Sequence, residues 1–368
     1  PSHGYSAHAK AKHGGGGGGG YAQPPSGPYG APRAKTGTWD GPAPRGYLRP
    51  GPDGTLASPA PAAAPKLPEK RDMALLGGSG VRVPMVNMRV ADDTPADDVK
   101  AGLAAGYRGI DCEPSRAAEE AAGAAIKGHA GGRGELFVTA KLPCAAHNDV
   151  AGACDATLAA LGVDCVDLYL VAWPVAHTTG GEVDGAATLE GTWKAMEGLV
   201  AAGKAKAIGM ANFSVAQVDA VLKGCTVKPA VNQVELHPFL PQRKLVGVCR
   251  RYGVAVQAHS PLGHGRLPEM VDHAAVAEAA AAAGKTPAQI LLRYSIHRGV
   301  PVVVKASGSK HAEHLEVFDW DFRPTDKRAL DAMECGRRAI EPPAGMTWDD
   351  PELGGLVKPS VTLLGLPR

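Results

Sequence analysis

Asp111 and Lys141 are the first residues whose chemistry stands out. Each closes a short apolar run, Tyr107 to Asp111 and Leu136 to Lys141, so on adjacent parallel strands they would face each other as a buried acid–base pair. Such a pair can assist a proton donor, or persist for structure alone, because removing one partner leaves an unpaired buried charge at about 3 to 5 kcal/mol. The segment beyond this strand end runs to Arg116. Its guanidinium stays protonated under any ordinary condition, so it cannot hand over a proton. The nearby groups that titrate are Glu113 and His259. Cys112 reads as a small buried hydrophobe in preference to a reactive thiol. Asn212, Gln233, His259, Ser260, Leu262, Lys305 and Lys310 follow at or just beyond the ends of later apolar runs. No cysteine or histidine spacing outlines a metal site.

These residues need a frame that gathers strand ends together. Eight β-rich runs are punctuated by Gly and Pro: Pro84 to Val90, Tyr107 to Asp111, Leu136 to Lys141, Val166 to Ala172, Ala205 to Ala211, Ala230 to Glu235, Val254 to Ser260, and Pro301 to Lys305. Ala-rich amphipathic stretches alternate with them, including Pro95 to Ala105, Ala117 to Gly128, Asn148 to Leu161, Thr188 to Ala202, Val215 to Leu222, Pro241 to Tyr252 and Pro287 to Arg298. Strand–helix alternation of this kind predicts parallel pairing with right-handed crossovers, closed into a (β/α)8 barrel. The Leu75 to Pro84 segment reads as a hairpin across the barrel floor, turned by its Gly pair. In such a barrel the chemistry lies at the C-terminal ends of the strands, where the residues named above fall.

The first 70 residues are of another kind. They hold 15 Gly, 13 Pro and 12 Ala, and a net charge of +5 against −3 for the remainder of the 368-residue chain. That composition predicts a disordered or extended tail over 1–70, a barrel over 71–340 and a C-terminal extension over 341–368. Tyr5, Tyr21, Tyr29, Trp39 and Tyr47 punctuate the tail as anchors for a partner with an acidic surface, a cytoskeletal or ciliary assembly by charge, with nucleic acid the weaker alternative. No apolar run reaches 18 residues, so a spanning helix and a membrane partner are not expected. Seven cysteines without paired spacing fit a reducing, cytoplasmic setting, with organelle import left open.

Ordered blocks resemble the aldo-keto reductase family, NADPH-dependent (β/α)8 enzymes that reduce carbonyls. They are Gly106-Tyr-Arg-Gly-Ile-Asp111, Leu136-Phe-Val-Thr-Ala-Lys-Leu142, Asp167 to Pro174, Ala207 to Ser214, Pro229 to Glu235 and Ser260-Pro-Leu-Gly263. The resemblance implies that Asp111 and Lys141 occupy catalytic positions. It also implies that the proton-donating Tyr is replaced by Arg116 and the substrate-orienting His by Ala172. On the cofactor side it implies roles for Asn212, Gln233, His259 (where a stacking Tyr is usual), Ser260 and Leu262, with Lys305 and Lys310 at the 2′-phosphate. Amides around Ser307 to Ser309 would add donors there. A Gly-Thr-Trp becomes Arg89-Val90-Ala91, a Ser becomes Ala211, and an adenine-side Asn becomes His314.

Loss of the acid alone removes roughly 10² to 10⁴ in rate. Loss of orientation and cofactor seating as well predicts a pseudoenzyme, a structural or interaction module whose tail acts as tether. Two alternatives stand beside it. One is an NADPH-dependent carbonyl oxidoreductase with an altered site, using His259 or Glu113 as acid. The other is a nucleotide binder without turnover, with NADP as its ligand.

Overall fold

The computed structural model describes residues 73–348. It opens with a hairpin in which β1 (Met73–Leu75) pairs antiparallel with β2 (Arg82–Pro84), Leu75 opposite Arg82. Gly77 turns the chain at φ 46°, and a Cβ there would lie 2.6 Å from the Gly253 carbonyl oxygen and 2.9 Å from that of Ala230. Only glycine lets the turn press this closely on the barrel. Leu76 and Val83 of the hairpin are buried with Phe137, Leu168, Leu170, Ala207 and Val231, which closes the floor as expected.

Eight parallel strands follow: β3 (Val86–Val90), β4 (Gly109–Cys112), β5 (Phe137–Leu142), β6 (Val166–Val171), β7 (Ala205–Ala211), β8 (Val231–Glu235), β9 (Ala255–His259) and β10 (Val302–Val304). Each pairs with the next, and β10 returns to β3 with Val303 opposite Asn87, so the barrel is closed. The helices are α1 (Ala96–Ala105), α2 (Arg116–Lys127), α3 (Val150–Leu161), α4 (Leu189–Ala201), α5 (Val215–Gly224), α6 (Arg243–Tyr252), α7 (Pro268–Val271), α8 (Ala274–Ala283), α9 (Pro287–His297), α10 (Lys310–Leu315) and α11 (Pro324–Asp331). Local signals fix several boundaries. Ser214 with Gln217 and Thr286 with Gln289 form reciprocal capping boxes at the starts of α5 and α9.

Some sequence boundaries move, for identifiable reasons. Tyr107 is not in a strand: Gly106 ends α1 in the left-handed region, and Tyr107 turns back beneath it, its ring edge-on to His311 at 5.9 Å. β4 therefore starts at Gly109. Pro84 belongs to the hairpin, and α6 begins at Arg243 because Gln242 sits at φ 53°. α10 is a helix of six residues whose N-terminal Ser309 makes no side-chain cap, a poor source of the anion-binding amides expected near Ser307 to Ser309.

Alternation along the strands divides the side chains between two surroundings. Ile110, Val138, Tyr169, Val171 and Ile208 point outward into a core shared with the helices. Inward positions above the floor are polar: Asp111, Thr139, Lys141, Gln233 and Gln257 are all buried. After α11 the chain returns along the strand-end rim through residue 348. The 341–368 extension thus starts within this described return. Residues 1–70, and the extension beyond 348, lie outside the described residues.

Candidate functional site

β4 sets Asp111 opposite Thr139 of β5, and from the next inward position on β5 the long side chain of Lys141 reaches back, so that the expected ion pair forms between Asp111 Oδ1 and Lys141 Nζ. Asp111 is 1% exposed and Lys141 8%. Lys141 also donates to the Cys112 carbonyl oxygen at 3.0 Å. The second carboxylate oxygen is taken by Gln233, whose Nε2 donates to Asp111 Oδ2 at 2.7 Å and to Gln257 Oε1 at 2.8 Å. Both oxygens of Asp111 therefore have partners, and Gln233 is turned into the barrel. Cys112 points the other way into the outer core, where burial, with Asp111 beside it, pushes its thiol strongly up and keeps it protonated.

Arg116 does not enter the mouth. It is the first residue of α2, behind the capping Ser115, and its exposed guanidinium donates to the Ala156 carbonyl oxygen on α3 at 3.0 Å. Arg89 is the guanidinium at the mouth. Its Nε lies 2.8 Å from Glu113 Oε1, and its Nη2 bonds the same oxygen. Glu113 Oε1 is thus engaged by the Arg89 guanidinium through two of its nitrogens.

His259 is occupied as well. Asn212 Nδ2 donates to the Ala172 carbonyl oxygen at 3.0 Å, which leaves Asn212 Oδ1 as acceptor 2.9 Å from His259 Nε2. The ring must carry its proton on Nε2 and give it to Asn212, while Nδ1 faces the Ser260 hydroxyl at 3.2 Å. Burial pushes this imidazole down to about 3, so it is neutral near pH 7. A neutral ring whose N–H is already donated to Asn212 is not a ready acid, and these two contacts engage its nitrogens only. Asn212 (φ 65°) and Ser260 (φ 51°) both hold the left-handed region at this rim, where backbone strain gathers around binding features. Leu262 packs beneath, touching both neighbouring apolar clusters.

The two rim lysines are paired, not free. Lys305 bonds Asp93, and Lys310 Nζ lies 2.6 Å from Glu313 Oε2. On the opposite side Glu235, fully buried, holds the returning chain. It accepts from His237 Nε2 at 2.9 Å, from the Ala339 amide at 2.6 Å and from the Ile340 amide at 3.1 Å. Trp348 donates to the Ile340 carbonyl oxygen and packs against Trp173, ring centroids 5.5 Å apart, so residues 335–348 form a strap from β8 to the segment after β6. The roles of Glu235 and Gln257 were missed by sequence reasoning. The available signal was register: Gln233, Glu235 and Gln257 occupy inward positions on neighbouring strands, where a polar side chain must find a partner.

Residues 76–334 match the model of the aldo/keto reductase family. Aldo-keto reductase family 1 member A1 of Rattus norvegicus is 37% identical over 292 residues, covering 72% of this chain and 90% of that protein; the Homo sapiens protein of that name is 36% identical over the same length. Among solved structures, the aldose reductase of Schistosoma japonicum superposes with a TM-score of 0.66 at 32% identity, covering 73% of this chain and 94% of that one. An aldo-keto reductase of Bombyx mori, solved in complex with NADP, gives 0.68 at 30% identity with the same two coverages. On the closed barrel, the ordered blocks and these likenesses together, the chain belongs to the aldo/keto reductase family.

Proposed function

We propose that this barrel is a non-reducing member of its family. It binds the adenosine end of a dinucleotide at the rim of Ser260, Leu262, Lys305 and Lys310, and serves as a module tethered through residues 1–70 to an assembly with an acidic surface. The observation that carries the reading is the direction of Arg116, whose position in the resemblance belongs to the proton donor. Its guanidinium lies on α3, outside the mouth, and is of the wrong chemistry for the role. Glu113 and His259, the two groups nearest to taking over, are spent on Arg89 and Asn212.

The nicotinamide end of the cofactor does not fit these residues. Arg89 stands where the resemblance has glycine, Ala211 brings no hydroxyl, and Gln233 gives its amide N–H groups to Asp111 and Gln257. The adenosine end keeps Lys305, with Lys310 where the resemblance has an arginine, and the NADP complex of the Bombyx mori relative supports dinucleotide binding as a family capacity. The basic composition of residues 1–70 supports an acidic partner.

A second reading, an NADPH-dependent carbonyl oxidoreductase with a rebuilt site, draws on the intact Asp111–Lys141 pair. Incubating the full chain with NADPH or NADH and a panel of aldehydes separates the two. The proposal expects no cofactor oxidation above the protein-free rate. Sustained oxidation that disappears in Lys141→Met would instead establish the second reading.

A further inference from the structure

We propose that the floor of the barrel, the face where the strands begin, is the surface that meets the acidic partner, and that this partner is a protein surface rich in carboxylate side chains. This deepens the reading that residues 1–70 tether the barrel to such an assembly, and it rests on that reading. In a parallel barrel each helix returns from the strand ends to the strand starts, so the last turns of the helices and the loops after them share one face with the β1–β2 hairpin. On that face Arg82 of β2, Lys127 at the end of α2, Lys228 before β8 and Arg251 in the last turn of α6 are exposed, and none meets a carboxylate among the described residues. The segment 1–70, with its net charge of +5, joins the barrel on the same face through β1.

The carboxylates of the floor do not cancel these cations. Glu135 lies between Arg108 and His129, Asp155 holds Lys204 and Asp219 holds Lys223, while the single carboxylate of Asp167 serves both Arg133 and Lys206 and leaves one charge over. Glu197 accepts from the amides of Thr226 and Val227, and Asp164 is exposed. Arg250 adds a further cation, bonded to the Arg298 carbonyl oxygen at 2.6 Å. The floor thus concentrates positive charge on a body that carries a net −3 beyond residue 70, a division that steers and orients an acidic partner. Two features select a protein. A cleft of about 870 Å³ at the ends of α2 and α3 is lined by Lys127, Arg133 and Lys206, with Asp164 as its one acid; acidic side chains can enter it, and a flat lipid surface cannot. Leu75 stands opposite Arg82 and Tyr252 follows Arg251, both exposed, so apolar contact lies next to charge, which a protein partner matches and a phosphate backbone does not.

The test is fluorescence anisotropy of a fluorescein-labelled oligoglutamate peptide titrated with the full chain at low ionic strength. One variant combines Lys127→Glu, Lys228→Glu and Arg251→Glu, three exposed side chains with no described partner, so the barrel stays folded. A control combines Lys194→Glu, Lys285→Glu and Arg328→Glu, an equal change of charge on α4, before α9 and on α11. The expected result is binding weakened at least about tenfold in the floor variant and less than about threefold in the control. Equal losses in the two overturn the proposal, because net charge alone then accounts for binding. Binding that ignores the floor variant but is lost when the eight Lys and Arg of residues 1–70 are changed to Gln in the full chain overturns the floor and leaves the tether in place. No binding by the unaltered chain overturns both. Tighter binding of a DNA duplex or of phosphatidylserine vesicles through the same three residues overturns the protein partner.

Discussion

Asp111→Leu and Lys141→Met, made singly, are each expected to lower stability by about 3 to 5 kcal/mol, because each strands one buried charge of a pair. Made together they are expected to cost far less than the sum. Both residues are almost fully enclosed, and Asp111 also serves Gln233, so the single changes leave a carboxylate or an ammonium without an opposite charge and without water. The double change removes both charges at once. A double-mutant cycle by urea unfolding therefore reads a coupling of several kcal/mol if the pair is kept for structure. Additive losses below about 1 kcal/mol would show that the barrel does not depend on the pair, and would remove the structural reason for its presence.

Glu235→Ala is expected to cost about 3 kcal/mol and to free the strap at the rim. Three donors, His237 and the amides of Ala339 and Ile340, lose one buried acceptor together, and hydrogen bonds to a charged group contribute about 1.5 to 3 kcal/mol each. Burial pushes the Glu235 carboxyl up, but these donors outweigh it and hold it below the ordinary glutamate range. A group depressed on folding stabilises fully above its unfolded value, roughly pH 4.3, and loses that contribution as pH falls through its folded value. The strap should accordingly loosen in acid and not in mild alkali. Amide hydrogen exchange at residues 339 and 340 measures this directly. Unchanged protection in Glu235→Ala would mean that the strap is held by other contacts, with Trp348 on Trp173 the first to examine.

The fold was legible because its signals are local. Gly and Pro mark the ends of eight apolar runs, and the capping residues Ser115, Ser214 and Thr286 stand where their helices begin. The pairing of Asp111 with Lys141 was legible too, since both point inward on adjacent strands one inward step apart, within reach of a lysine side chain. What escaped depended on direction or on distance along the chain. Arg116 has the right number for the mouth, but as the first residue of α2 it reaches out to α3. Gln233 has the expected identity, yet turns its amide inward because Gln257 and Asp111 offer acceptors there. Lys305 and Lys310 read as open cations until the loop after β3 brings Asp93 across and the first turn of α10 brings Glu313 round. The bond from Glu235 to Ala339 spans 104 residues, and no periodicity announces it.

Hydride transfer itself tests the central claim most directly. The full chain is incubated for hours with NADPH or NADH deuterated at the transferable position, together with the aldehyde panel, and the alcohols are analysed by mass spectrometry. A mouth in which Glu113 is held by Arg89 and the His259 N–H is given to Asn212 predicts no deuterium in any alcohol beyond the protein-free control. Deuterium delivered catalytically to even one carbonyl, and abolished by Lys141→Met, would contradict it.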